Sequence, residues 1–126
     1  MEGLKEKLFR LHFLLTEKET DEIIKQGLEQ FKGCFDDAMS ELSGFLSDTY
    51  KIKLKDNVDV VERAFEYKLV NREMVQQLKE MVNDYEQIGS AENLKSVHKR
   101  IQEEYAGYLQ MIYDMLSRMG QDAEEE

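Results

Sequence analysis

The chain has 126 residues, of which 41% are hydrophobic and 35% are charged, and its formal net charge is −10. Nonspecific binding to nucleic acid needs clustered Lys and Arg side chains that displace counterions. This chain offers only small basic groups, such as Lys51, Lys53 and Lys55. The charge balance therefore argues against a generic DNA- or RNA-binding protein, and it favours a basic protein partner or simple solubility.

The length predicts one domain over residues 1–119, followed by an acidic, disordered tail over 120–126. Cys34 is the only cysteine, so no intrachain disulfide can form, and its place on an apolar stripe predicts a buried hydrophobe rather than a reactive thiol. The first fifteen residues are too short and too charged for a signal peptide or a membrane span. We therefore expect a cytoplasmic protein without a membrane association.

In chain order, the first predicted helix covers residues 3–15, where leucines recur at steps of four and three. A turn and a new helix N-terminus follow. Thr16 with Glu19 matches a capping box, and Thr20 is a second candidate for the N-cap. No proline occurs in the chain, which suits long helices because proline removes a backbone donor and clashes inside them.

Two long helices are predicted, one reaching about residue 49 and one over residues 91–119. In both, apolar residues recur at steps of three and four, a spacing that buries one helix face against other helices. The phenylalanines, including Phe9 and Phe13 of the first helix, also lie mostly at core spacing and are expected to pack in the core or at a dimer interface. The predicted core or dimer seam consists of Ile24, Leu28, Phe31, Phe35, Leu42, Phe45, Ile101, Tyr105, Tyr108 and Ile112.

A loop and two short helices are predicted between the long ones. Alternation of lysines with Ile52 and Leu54 is a weak strand signal without a partner strand, so we predict a loop there. Asp56 or Asn57 caps the third helix and Asn71 caps the fourth. The residues of the third helix predicted to point inward are Val58, Val61 and Phe65.

These elements predict an all-α fold, an up-and-down bundle of about five helices that resembles a four-helix bundle. Two of the helices are long, and the short ones cover their apolar stripes incompletely. We therefore expect a homodimer that pairs through the long helices. The alternative is a monomer in which the short helices wrap the long pair.

Catalytic and metal-binding patterns are not found. Neither His12 nor His98 has a glutamate three residues before it, as di-iron bundles require, and no cysteine pair exists. Adjacent acidic residues such as Asp36 and Asp37 diverge by about 100° on a helix, which favours a solvated face over a ligand set. We expect no metal and no cofactor, and we expect His98 at the boundary of the core.

The middle of the chain resembles a known family. Phe31, Phe35, Ala38 and Leu42 follow the pattern F-x-x-x-F-x-x-A-x-x-x-L, and residues 60–70 read VVERAFEYKLV. These segments resemble the HEPN superfamily and, more narrowly, the HepT-like nucleotidyltransferase substrate-binding proteins. The resemblance implies a helical bundle, usually a homodimer, that functions beside a minimal nucleotidyltransferase. Many members are toxins of toxin–antitoxin pairs.

Ribonucleases of this family carry an arginine, four to six residues and then a histidine just before the last helix. In this chain the motif would fall at residues 84–92, with Tyr85 at the arginine position and Ser90 at the histidine position. Neither residue supplies the cation or the base that RNA cleavage needs, so no catalytic residue is carried over. The residues predicted to form a binding surface are Tyr85, Glu86, Ser90, Asn93 and His98.

The first functional hypothesis is therefore a non-catalytic, homodimeric binding module with a nucleotidyltransferase as protein partner. The second is a ribonuclease toxin with a displaced site that uses His98, Lys99 and Arg100. The third is an unrelated helical adaptor or scaffold whose long apolar stripes pair with a partner helix.

Overall fold

The computed structural model of the chain describes residues 2–88 and 94–125, with side chains described over 3–88 and 94–119. Its elements are helices, and the described residues contain no strand. This confirms the predicted all-α bundle. The elements are α1 (Glu2–Leu15), α2 (Asp21–Tyr50), α3 (Asn57–Glu66), α4 (Arg72–Gln87), α5 (Leu94–Arg100), a π-helical turn (Ile101–Tyr105) and α6 (Ala106–Glu125).

The C-terminal rod is the continuous run of α5, the π turn and α6. It corresponds to the predicted last helix, and α2 is the other long helix. At about 1.5 Å per residue both exceed 40 Å in length. The side chains from residue 120 onward lie outside the described set, so disorder of the tail over 120–126 stays a prediction. No helix within 2–88 and 94–125 has both the length and the apolar character needed to cross a bilayer.

Side-chain caps fix where three of the helices begin. Thr20, Asp56 and Asn71 each accept a hydrogen bond from the backbone N–H three residues further on, at 3.2, 2.8 and 2.9 Å. The predicted capping box at Thr16 is wrong, because its hydroxyl donates instead to the carbonyl of Phe13 at the end of α1, at 2.7 Å. The alternative cap, Thr20, is confirmed.

The core lies where α1, α2 and the C-terminal rod meet, with α3 and α4 closing the remaining side. All members of the predicted seam are buried except Phe45 and Tyr108, which are half-buried against the same cluster. Each fully buried large apolar side chain stabilises the fold by about 1.5–3 kcal/mol relative to an exposed one. These residues pack inside a single chain, so a dimer interface requires residues on the surface.

The predicted inward face of α3 is partly wrong. Val61 is buried, but Val58 is 37% exposed and Phe65 is 39% exposed, and Val60 and Ala64 take the core positions. In this ten-residue helix, two overlapping sets of apolar side chains are each spaced as a buried face requires, so spacing alone does not show which set is buried. Packing against its neighbours α2 and α4 selects the series that includes Val60 and Ala64.

Two phenylalanines of α1 face solvent. Phe9 is 75% exposed and Phe13 is 58% exposed, whereas Leu4, Leu8 and Leu11 on the same helix are buried. At 100° per residue, Phe9 and Phe13 lie on the side of α1 roughly opposite those leucines. Phe9 and Phe13 are therefore not core residues, their packing at a dimer interface stays a prediction, and α1 presents an apolar surface on each side.

Candidate functional site

The segment at which the resemblance predicted a ribonuclease motif, residues 84–92, begins at the end of α4 and leads toward α5. Ile88 directly follows α4, and Leu94 begins α5. Ser90 and Asn93, two residues of the predicted binding surface, lie outside the described residues. Tyr85, Glu86 and His98 lie within them.

Tyr85 is held in place by α2. Its ring stacks on the ring of Phe35, with the centroids 4.2 Å apart and the planes inclined by 24°. Its hydroxyl donates a short hydrogen bond to the carboxylate of Asp36. This bond, together with desolvation, raises the pKa of Tyr85 to about 12, so the hydroxyl is neutral near pH 7. Tyr85 is therefore a neutral side chain that is already bonded to an acid.

His98 is fully buried, at 0% exposure, and is not the boundary residue that the sequence predicts. Its ring packs on Gly27 of α2, and a Cβ atom at Gly27 would lie 3.0 Å from both Cδ2 and Nε2 of the imidazole. Neither ring nitrogen has a hydrogen-bond partner among the described residues. Desolvation lowers the pKa of His98, while the charge of Glu19 opposes that shift.

The structure does not bring the predicted surface residues together. Tyr85 contacts α2 at Phe35, whereas His98 contacts it at Gly27, about 12 Å away along the helix axis. Glu86 lies on the solvent-exposed side of α4. The described members of the predicted surface are thus separate positions around the end of α4 rather than one cluster.

A buried polar network, which sequence reasoning missed, joins α4 to the C-terminal rod. Asp84, only 7% exposed, accepts two hydrogen bonds at its Oδ2 atom. Arg100 donates one from Nη1 at 2.6 Å, and Tyr105 donates the other from its hydroxyl at 2.5 Å. The buried ring of Tyr105 also stacks on Phe31, with centroids 5.9 Å apart. The network fixes the orientation of α4 against the rod.

The π turn explains how Arg100 and Tyr105 reach the same carboxylate. In a regular α-helix, residues five apart point about 140° away from each other. Over Ile101–Tyr105 the helix widens, and the N–H of Ala106 bonds to the carbonyl of Ile101 five residues back. This winding turns Tyr105 toward the face that carries Arg100, so both side chains converge on Asp84.

The network also engages Arg100, the arginine that follows the α4–α5 connection in sequence. The hydrogen bond with Tyr105 and the charge of Asp84 raise the pKa of Arg100, whereas desolvation opposes them. Burial and the hydrogen bond to Asp84 raise the pKa of Tyr105, so its hydroxyl stays protonated and continues to donate. Arg100 therefore pairs with the carboxylate of Asp84 in the same chain.

Cys34 is fully buried, which agrees with its predicted role as a small hydrophobe. Burial raises the pKa of its thiol to about 12, so the thiolate needed for nucleophilic chemistry does not form near pH 7. Over the described residues, no group of three His, Cys, Asp or Glu side chains is placed to hold a metal ion.

A cavity of about 480 Å³ adjoins the α4–α5 connection. That volume is within the range of small-molecule sites. Three lysines and two acids surround an apolar floor, so the rim is slightly cationic on a chain whose net charge is −10. The residues that line it are Asp21, Ile24, Lys25, Leu28, Glu29, Lys32, Ile88, Leu94 and Lys95.

No protein-family model matches the chain, and no curated protein matches it either. The chain is similar in structure to a crystal structure of a protein from Thermus thermophilus, with a TM-score of 0.82 and 17% sequence identity. The match covers 90% of this chain and 98% of that one. The similarity supports the all-α bundle as the fold of the matched part of the chain.

Proposed function

We propose that the chain is a non-catalytic helical binding module that acts as a homodimer and supports a minimal nucleotidyltransferase as its protein partner. The resemblance to HepT-like proteins motivates the partner. The observation that carries the non-catalytic assignment is Tyr85, which stands at the arginine position and is bonded to Asp36. A neutral hydroxyl that donates to a carboxylate cannot hold a phosphate as an arginine does.

A displaced ribonuclease site has weaker support. Such a site would use His98, Lys99 and Arg100, with the histidine as the base and the two cations binding phosphate. However, His98 is fully buried, and Arg100 is paired with Asp84. A general base must come within hydrogen-bond reach of the proton that it removes, and an imidazole enclosed between two helices cannot contact an RNA hydroxyl.

The cavity beside the α4–α5 connection is the proposed contact surface for the partner. It adjoins the predicted motif segment at Ile88, and its three lysines give it a cationic rim that suits an acidic segment of the partner. A larger cleft, of about 750 Å³, includes Asn71 and Arg72 at the opposite end of α4. The smaller cavity is preferred because Ile88 and Leu94, which flank the predicted motif segment in the described part of the chain, line it.

Affinity capture from native cells tests this proposal. The tagged full chain is expected to recover a nucleotidyltransferase, identified by mass spectrometry. The double variant Lys25→Glu/Lys95→Glu reverses two rim charges and is expected to reduce that recovery at least about tenfold. Lys53→Glu/Lys55→Glu is the matched control, because it reverses two exposed lysines in the α2–α3 loop, and its recovery should equal that of the unmodified chain.

Two results would contradict the proposal in different ways. If no nucleotidyltransferase is recovered, the partner is wrong. If the enzyme is recovered equally with the double variant and the control, the partner stands but the cavity is not its contact surface. Recovery of an unrelated helical protein in place of the enzyme would favour the adaptor hypothesis.

A further inference from the structure

Four exposed side chains form one row along the outer side of α1. The row, which we call the α1 ridge, consists of Lys5, Phe9, Phe13 and Glu17, spaced four residues apart. Residues at i and i+4 are neighbours on a helix surface, so Lys5, Phe9 and Phe13 form a continuous row on α1, and Glu17 follows them in the turn directly after the helix. The backbone N–H of Glu17 donates to the carbonyl of Leu14 at 3.2 Å, which keeps Glu17 in a turn that continues from the end of α1.

The order of the side chains along the ridge is complementary to itself when two copies meet in opposite directions. If a second ridge lies antiparallel to the first, each lysine meets a glutamate and each Phe9 meets a Phe13. Lys5 and Phe13 are about 12 Å apart along the helix and Glu17 follows Phe13, so an antiparallel second copy brings the lysine end of each ridge to the glutamate end of the other. A parallel arrangement would instead place lysine against lysine and glutamate against glutamate.

The ends of the ridge are available for such pairing. Within residues 3–88 and 94–119, no ion pair or side-chain hydrogen bond involves Lys5 or Glu17. The neighbouring lysine on α1, Lys7, differs because it forms an ion pair with Asp37 of α2 at 2.7 Å. The two phenylalanines between the ends are the most exposed aromatic side chains among the described residues.

We infer that the α1 ridge binds the α1 ridge of a second copy of this chain across a two-fold axis. The inference rests on the homodimer of the proposed function and specifies which surface forms it. It replaces the long-helix seam, whose residues are packed inside one chain. An isologous contact of this kind is the commonest form of protein dimer.

The size of the surface predicts how strong the dimer is. The exposed parts of four phenylalanine rings supply roughly 500 Å² of apolar area in total. Stable interfaces bury about 1,200–2,000 Å², so the ridge by itself predicts a weak dimer that forms at micromolar concentrations. The charge pairs then determine orientation and partner choice more than affinity.

Sedimentation equilibrium of the full chain and of charge-reversed variants tests the inference. Lys5→Glu alone or Glu17→Lys alone should raise the dimer dissociation constant about tenfold, because each reversal makes both charge pairs repulsive. The double variant Lys5→Glu/Glu17→Lys should restore the constant to within about threefold of the original. Mixing the two single variants should produce a heterodimer tighter than either homodimer, since all facing charges are then opposite.

The controls separate the ridge from general charge effects. Lys53→Glu and Glu73→Lys change the net charge by the same amounts at exposed positions in the α2–α3 loop and on α4, and they should leave the dimer constant unchanged. Phe9→Ser/Phe13→Ser should abolish the dimer while the circular dichroism spectrum stays helical, because neither ring contributes to the core.

A chain that is monomeric at all concentrations would overturn both the ridge and the homodimer. A dimer whose constant does not respond to either reversal, or whose single variants fail to form the mixed dimer, would overturn the ridge alone. Recovery of the nucleotidyltransferase does not depend on these outcomes, so a failure of the ridge is distinct from a failure of the partner.

Discussion

Replacing Asp84 with alanine is expected to lower the free energy of unfolding by about 3 kcal/mol. The change leaves the hydroxyl of the buried Tyr105 without its acceptor, which costs about 1–3 kcal/mol, and it removes the charged hydrogen bond with Arg100. Breaking a fully buried ion pair costs about 3–5 kcal/mol. The side chain of Arg100 is 43% exposed and can turn to water, so the expected loss lies at the lower end of that range.

Equilibrium unfolding in urea measures this loss. Tyr105→Phe removes one of the two bonds and should cost about 1–2 kcal/mol, and the double variant should lose less than the sum of the two single losses. Asp114→Ala is the matched control, because that exposed carboxylate accepts only a surface bond from Gln110 and its loss should cost less than about 0.5 kcal/mol. An Asp84→Ala chain as stable as the control would show that the network does not hold α4 against the rod.

Acidification from about pH 7.5 to about pH 5.5 is expected to destabilise the chain through His98. Burial lowers the pKa of His98 in the folded state, whereas an unfolded histidine titrates near its ordinary value of about 6.5. Below that value the unfolded state binds more protons than the folded state, so stability falls as the pH falls. The slope from one such group approaches about 1.4 kcal/mol per pH unit until the pH reaches the folded pKa.

Urea unfolding at several pH values measures the slope, and His98→Met should largely remove it. Methionine fills a similar volume without ring nitrogens that need partners, so the variant should be at least as stable as the unmodified chain at about pH 5.5. His12→Gln is the control, because His12 lies at the half-buried surface beside Gln110 and is not enclosed like His98. A slope that survives His98→Met would assign the pH dependence to other groups.

The helices of this chain could be predicted because local chemistry determines them. Side-chain caps at Thr20, Asp56 and Asn71 mark their starts, and the three-to-four spacing of apolar residues identifies the core face of α2. Prediction failed where local patterns allow two answers. In α3 two apolar series overlap, and in α1 apolar residues occupy two opposite sides of the helix, so only packing shows which ones are buried.

The polar network could not be predicted from spacing. Arg100 and Tyr105 are five residues apart, which on a regular helix separates their side chains and gives no reason to pair them with Asp84. The π turn that joins them is a tertiary feature, because it exists where the rod packs against α4. Similarly, the sequence places His98 beside the apolar stripe, but the absence of a side chain at Gly27 is what allows the ring to be enclosed.

The central claim is that this bundle is a protein-binding module and that it does not cleave RNA. It is tested most directly by incubating the purified chain with transfer RNA and messenger RNA at micromolar concentration and resolving the products on a denaturing gel. We expect intact RNA with the unmodified chain. Cleavage that is present with the unmodified chain and lost in His98→Ala or Tyr85→Phe, each prepared in the same way, would contradict the claim and would assign catalysis to the α4–α5 region.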